Sequence, residues 1–167
     1  MPVNIDTARL RLRPFHADDM PSYLDYYTSD ARTKGVGGAQ PKDVAIERFL
    51  AMAGQWSIRG YGRYAITTDH AKPAFGHVGV LHLDSEPEMT WTLWDETETQ
   101  KGFATEAASA VLEAWFAAGA KRIIAPISKN NEPSINVARK LGMEQDPNAV
   151  APKSMPDGIV YAKELPA

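Results

Sequence analysis

The stretch TQKGFATEA, Thr99 to Ala107, sets one glycine and one lysine where a polar loop becomes an Ala-rich helix. The first N–H groups of a helix have no intrahelical partner, and the positive end of the helix dipole lies beside them. An anion such as a phosphate suits that position. Gly102 would let the backbone approach it closely, Ala104 would leave room, and Lys101 would add a charge. The same residues also read as a glycine-relieved helix start that binds nothing. Neither the Walker pattern nor the dinucleotide glycine pattern is present. The GVGG cluster from Gly35 to Gly38 has the wrong spacing and follows a helix, not a strand.

Two further stretches carry polar residues that could reach a ligand. NEPSINVARKLG, Asn131 to Gly142, is either a well-capped helix with Val137 and Leu141 in the core, or a second polar helix start whose Asn131 and Ser134 face a ligand. In EMTWTLW, strand alternation puts Glu88, Thr90 and Thr92 on one face and Met89, Trp91 and Leu93 on the other. A carboxylate in a cleft can take a proton from an amine nucleophile, directly or through water. Facing solvent, Glu88 is an ordinary strand glutamate. The histidines offer less. His77 and His82 lie five apart on one expected strand and face opposite ways, a poor metal pair with no third ligand, while His16 and His70 read as surface turn residues.

These residues need a scaffold. Leu10, Leu12 and Pro14 alternate with Arg9, Arg11 and Arg13, which predicts a strand over Arg9–Phe15 with one buried face. Asp18 caps the first helix, with Pro21 early in it and Tyr23, Leu24, Tyr26 and Tyr27 along it. Lys34–Pro41 reads as a flexible loop. A second helix opens at Asp43, with Val44, Ile46, Phe49, Leu50, Ala53 and Trp56 at helical spacing. Strands over Tyr64–Thr68, Phe75–Leu83 and Glu88–Trp94, with a turn at Asp69–Pro73, form an antiparallel meander. The period then changes. A helix over Thr105–Ala118 ends at Gly119, a strand follows over Arg122–Ile127, the Asn131 helix ends at Leu141–Gly142, and a last strand spans Ile159–Lys163 after a turn-rich segment. The order β-α-α-β-β-β-α-β-α-β is an α+β arrangement, with parallel pairing only around the Thr105–Ala118 crossover. That strand–helix–strand–helix run sets both polar helix starts at one sheet edge, where an extended ligand would lie.

Composition narrows the function. With 167 residues the chain suits one domain, residues 1–167, with a sizeable core. Its net charge of -3 calls for neither nucleic acid nor an anionic membrane as partner. The absence of cysteine removes disulfides, thiolate nucleophiles and cysteine–zinc sites, and is compatible with the cytoplasm. No apolar run approaches the roughly 20 residues of a membrane helix, and the alternating start MPVNIDTARLRLRPF is not a signal peptide.

TQKGFATEA and NEPSINVARKLGM together resemble the acetyl-CoA signature of the GNAT N-acetyltransferase superfamily, with TARLRLRPFHADDM and GHVGVLHL resembling its RimJ/RimL branch of ribosomal-protein alanine and serine N-acetyltransferases. The resemblance covers essentially the whole chain. It implies the GNAT fold, a mixed, mostly antiparallel twisted sheet flanked by helices, and acetyl-CoA as co-substrate with no metal. The family's pyrophosphate loop, Q/R-x-x-G-x-G/A, falls on Thr99, Gln100, Lys101, Gly102, Phe103 and Ala104. Gly102 and Ala104 match it, Thr99 and Gln100 depart from it, and Thr105 could donate to a phosphate oxygen. Glu106 would be a structural first-turn carboxylate. By the same resemblance Asn131 would hold the pantetheine arm, and Ser134 would assist departure of the thiolate. Glu88 would take the amine proton, and backbone N–H groups near Leu93 and Trp94 would polarise the acetyl carbonyl where the strand bulges away from its neighbour. Tyr26, Tyr27 and the Lys34–Gln40 loop would wall the acceptor pocket. The implied reaction is direct attack of a neutral amine in a ternary complex, on a protein N-terminus or a small-molecule amine. Dimers are common in such families, so a homodimer is compatible. Two other readings stand beside this one: a GNAT-like acyl-CoA sensor without catalysis, and a non-enzymatic α+β interaction module.

Overall fold

The computed structural model describes every residue except 35, 69–71, 83–85, 153, 154, 156, 166 and 167. Gly35, His70, Leu83 and most of the turn expected at Asp69–Pro73 therefore lie outside the described residues. Along the chain run β1 (Ile5–Asp6), β2 (Arg11–Arg13), a 3-10 turn (Ala17–Asp19), α1 (Met20–Tyr27), α2 (Asp30–Thr33), α3 (Lys42–Arg59), β3 (Arg63–Thr67), β4 (Gly76–Leu81) and β5 (Glu88–Leu93). A second 3-10 turn (Glu96–Glu98) leads to α4 (Phe103–Ala117), β6 (Arg122–Ser128), α5 (Glu132–Lys140), β7 (Glu144–Gln145) and β8 (Gly158–Glu164). The expected order is present, with β1, β7 and the single-turn α2 added.

The strands form one sheet in the order β1-β2-β3-β4-β5-β6-β8-β7. Every pairing is antiparallel except that of β5 with β6. One face of the sheet sends Leu12, Tyr64, Ile66, Val78, Val80 and Met89 into a core completed by Ala107, Ala108 and Val111 of α4 and Ile135 and Ala138 of α5. The other face packs Ala65 against Tyr23 of α1 and Phe49 and Met52 of α3, with Phe15 and Trp94 between them. Both faces being covered, the sheet is the middle of three layers, with helices on each side.

The covered second face overturns three sequence expectations. The Arg9–Phe15 strand has no solvent face at Arg13, which is only 5% exposed. Its guanidinium emerges beneath α1 and donates to Asp19 at 2.7 and 2.8 Å. Asp19, not the exposed Asp18, is therefore the residue that fixes the helix start: it also accepts the His16 and Ala74 N–H groups, each at 2.8 Å. The buried stripe of α3 is Ala45, Phe49 and Met52, and Leu50, expected in the core, is 56% exposed. The helix is rotated so that its Phe49 edge meets Phe15 and Tyr23, at ring separations of 5.4 and 5.3 Å. In α5 the buried residues are Ile135, Ala138 and Leu141, while Val137 is half-buried at the margin.

The Arg13–Asp19 pair welds β2, the helix start and the approach to β4 into one unit. Burial pushes the Asp19 carboxyl up, but hydrogen bonds from Arg13 and the two backbone N–H groups outweigh it and hold the carboxyl below its ordinary value. A depressed carboxyl stabilises the fold above the pKa of the unfolded chain, and that stability is lost as pH falls through the native pKa. Asp19→Ala leaves a buried guanidinium unpaired and should cost about 3–5 kcal/mol. Denaturant unfolding checks this, and the difference between the two proteins should shrink at acid pH; a cost under 1 kcal/mol would contradict it.

Candidate active site

β5 and β6 run parallel and share a single register position, Glu88 opposite Ile124, where the Ile124 N–H meets the Pro87 carbonyl at 3.0 Å. Past that point β6 stays paired with β8 as far as Ser128, while β5 stays paired with β4 as far as Leu93. The two strands thus diverge toward their C-terminal ends. A cavity of about 560 Å³ lies in the wedge. Tyr23 and Tyr27 reach it from α1, and Arg48 and Gln55 from α3. Glu88 to Thr92 border it on one side, Pro126 to Ser128 on the other, and Asn131 and Ser134 at the start of α5.

The register explains which side chains look inward. Arg63, Gly79 and Thr90 lie in line across three strands, as do Ala65, His77 and Thr92. Glu88, Thr90 and Thr92 share that face by alternation. Met89 points the other way and is buried in the α4 core. Glu88 is half-buried. Burial raises its carboxyl above the ordinary value, with Arg63 pulling in the opposite sense. A carboxylate shifted in that direction is a better proton acceptor. His77, 3% exposed, stays neutral because burial and the nearby Arg63 both disfavour its cation.

The backbone of β5 divides by the same alternation. The Trp94 N–H donates to the Phe75 carbonyl at 2.7 Å, on the β4 side. The Pro87 carbonyl faces β6. Hence the Trp91 and Leu93 N–H groups face the wedge, where no β6 strand pairs with them. Leu93 keeps a backbone position suited to an acyl oxygen, whereas Trp94 does not. The Trp94 side chain is a core residue, 1% exposed, packed on Phe15 and Tyr23. Trp91 N–H went unremarked in the sequence, since which N–H groups face the wedge depends on the partner strand.

At the start of α4, Asp95 caps the preceding 3-10 turn by accepting the Thr97 N–H at 2.9 Å. The Thr99 hydroxyl closes that turn on the Glu96 carbonyl at 2.7 Å. Gln100 and Gly102 both have left-handed backbones, at φ 60° and 82°. Glu106 N–H to Gly102 carbonyl, 3.0 Å, is the helix's first bond. The N–H groups of Phe103, Ala104 and Thr105 come before it and have no intrahelical acceptor. Lys101 pairs with Glu98 at 3.0 Å. Arg9, a residue that the sequence reading did not place here, crosses the loop: it donates to the Lys101 carbonyl at 3.0 Å, lies 4.6 Å over the Phe103 ring, and pairs with Glu106 at 2.6 Å. Glu106 also accepts the Thr7 hydroxyl at 2.6 Å. The carboxylate is thus tied to the β1–β2 connection.

At the start of α5, Asn131 accepts the Ser134 N–H with its side-chain oxygen at 3.2 Å. Because β5 and β6 are parallel and each feeds a helix, the starts of α4 and α5 lie at the same sheet edge. Glu88, Tyr27, Asn131 and Ser134 share the cavity. Tyr26 does not line it; its ring is buried in the α1 core, with Arg32 5.4 Å above. Among the described residues no three His, Asp or Glu side chains are placed to hold a metal ion, and no helix is long and apolar enough to cross a membrane.

Known proteins agree with this architecture. Over 99% of this chain and 95% of the other, the structure superposes on an acetyltransferase from Agrobacterium tumefaciens with 30% identity and a TM-score of 0.87. An acetyltransferase of the GNAT family from Bacillus anthracis matches over 96% and 98% of the two chains at 21% identity and a TM-score of 0.76. A ribosomal-protein-S5-alanine acetyltransferase from Vibrio fischeri matches over 98% and 97% at 15% identity and 0.74. These last two share the fold alone. No curated protein matches the sequence. Residues 9–144 fit the acetyltransferase (GNAT) domain model, and the chain belongs to the GNAT family of acetyltransferases.

Proposed function

We propose that the protein is an acetyl-CoA-dependent N-acetyltransferase that acts on a primary amine, a protein N-terminus or a small molecule, by direct attack in a ternary complex. The observation that carries this reading is the shared wedge: a burial-raised carboxyl, Glu88, and the α5 start with Ser134 border one cavity beside two β5 N–H groups. The motifs TARLRLRPF, GHVGVLHL and NEPSINVARKLGM add the likeness to the RimJ/RimL branch.

The α4 start fits a pyrophosphate. Three N–H groups without intrahelical acceptors point out of the helix beside Gly102. In the proposed complex Gly102 to Thr105 hold the diphosphate through the backbone. Thr99 contributes little, since its hydroxyl already closes a turn, and Lys101 exchanges Glu98 for phosphate. Asn131 meets the pantetheine arm while its oxygen caps α5. Acetyl-CoA supplies a thioester carbonyl activated toward nucleophiles. Glu88 accepts the amine proton as the new C–N bond forms, the Leu93 and Trp91 N–H groups stabilise charge on the acyl oxygen, and Ser134 donates to the sulfur as the C–S bond breaks.

Two outcomes test this reading. Glu88→Gln should lower kcat by about 10²-fold or more. In the unsubstituted protein kcat should fall with acid as Glu88 gains its proton, at a pH above the ordinary glutamate range, and that limb should vanish in the variant. An unchanged kcat and acid limb would refute the role of Glu88. Gly102→Val should abolish acetyl-CoA binding by calorimetry, because a β-branched residue is strained at a φ of 82°; Thr99→Ala should leave it nearly unchanged. Thermal unfolding without ligand separates lost folding from lost binding, and the reverse ranking would show that the loop is not the cradle.

A further inference from the structure

The cavity is electropositive in a protein whose net charge is -3. Among its described lining residues Glu88 is the one carboxylate, against the guanidinium groups of Arg48 and Arg63. Several other arginines of this chain, though not all, have carboxylate partners, among them Arg9 with Glu106, Arg13 with Asp19, and Arg122 with Glu86, Asp146 and Glu164. Among the described residues no carboxylate lies within ion-pair distance of Arg48 or Arg63. The Arg63 Nε is buried without a protein partner. Burial disfavours its charge, with the Tyr27 and Tyr23 hydroxyls and Glu88 acting the other way.

The orphaned polar atoms converge on the same place. Among the described residues seven buried side-chain N and O atoms have no partner, and five of them belong to residues that line this cavity: Gln40, Gln55, Arg63, His77 and Trp91. Buried polar atoms are normally paired. The residues of these five gather around one cavity, so its wall is underpaired just behind its surface. On the face shared with Glu88, Arg63 offers a donor and the two glutamine oxygens offer acceptors, which suits a ligand that both accepts and donates.

Position supports the same conclusion. Arg63 and Thr90 lie in register across β4, about 10 Å apart at strand spacing, and Glu88 is two residues along on the same face. A Cβ on Gly79, the residue between them, would sit 2.3 Å from the Gly62 carbonyl oxygen and 2.5 Å from the Arg63 Cα. Only glycine at 79 lets β3 bring the Arg63 backbone this close to the wedge. A bare amine arrives as a cation and meets two guanidiniums. An amine that also carries an acid meets a partner at each end.

Resting on the acetyltransferase reading above, we propose that the acceptor is a small primary amine bearing an acidic group, of the free amino-acid class. Its carboxylate, or an equivalent oxyanion, is held by Arg63 and Arg48, and its amine is presented to Glu88. Acetyl transfer to it forms an amide and releases the CoA thiol, the amine proton passing to Glu88.

The test is equilibrium binding by calorimetry with CoA present, so that no turnover is needed. The probes are the twenty free amino acids, the decarboxylated amine and carboxamide of each binder, and a tripeptide amide with a neutral N-terminal residue. At least one free amino acid should bind ten-fold or more tightly than its own amine and amide. Arg63→Gln should remove that preference, as should Arg48→Gln, a change on the exposed side of α3 that spares the core, and both variants should bind CoA as before. The inference is overturned if no free amino acid binds, if the neutral amines or the tripeptide amide bind more tightly, or if the variants weaken acid and amide alike. Thiol release, measured with the same probes and variants but with acetyl-CoA in place of CoA, keeps the two readings apart. Arg-dependent binding without release with any probe refutes the acetyltransferase reading and leaves the ligand class standing. Release with neutral amines alone does the reverse.

Discussion

One parallel contact, Glu88 beside Ile124, decides the shape of this molecule. Antiparallel partners hold β5 on one side and β6 on the other along their lengths, so each half of the sheet follows its own twist. Having met once, the halves separate, and the wedge between them is the cavity. A longer parallel ladder would have consumed the Trp91 and Leu93 N–H groups and closed the space. The crossover through α4 follows from the same pairing, because parallel strands need a long connection, and that connection sets the start of α4 at the sheet edge where β5 ends.

Ion pairs on both faces of the sheet fix the helix starts to the strands. On one side Arg13 and Asp19 bind β2, the start of α1 and the Ala74 backbone together beneath the sheet. On the other, Arg9, Thr7 and Glu106 fasten the β1–β2 connection to the first turn of α4. Glu106 takes three of its partners from that connection, the Thr7 hydroxyl, the Arg9 N–H and the Arg9 guanidinium. These hold its carboxyl low although burial acts in the opposite sense. Two arginines of one short strand region thus serve opposite faces of the sheet, which is what alternation provides at residues four apart only when the intervening backbone bends, as it does between Arg9 and the start of β2.

Much of this was legible because it is local. The α4 and α5 starts announce themselves through Gly102, Asn131 and Pro133, whose effects reach three or four residues along the chain. The β3–β4–β5 meander is legible through alternation and its turns. What the sequence concealed is what a partner element decides. Strands of two residues such as β1 and β7 carry no period to read. Arg13 alternates like a solvent-facing residue, and only the cover supplied by α1 and α3 buries it. The α3 stripe shifts from Leu50 to Met52 because aromatic contacts with Phe15 and Tyr23 select that edge. Trp94 looked suited to an acyl oxygen, but its N–H belongs to Phe75 across the ladder. Arg48 and Arg63 stand fifteen positions apart with no motif to connect them, and only the packing of α3 over β3 brings both to one cavity.

Electrostatics in this protein therefore belongs to the site and not to the whole. A net charge of -3 spread over the surface is screened within about 8 Å at physiological ionic strength, whereas charges in a partly enclosed wedge are screened much less. Glu88 and Arg63 are coupled there: burial raises the carboxyl, and the guanidinium moderates the rise. An acidic group bound at Arg63 would cancel that moderation and leave burial to act alone, so the carboxyl would become more basic when an acceptor occupies the cavity. A neutral amine would bring no such change. The same two arginines that would select an acid-bearing acceptor would thus also couple its arrival to the strength of the base that must deprotonate it.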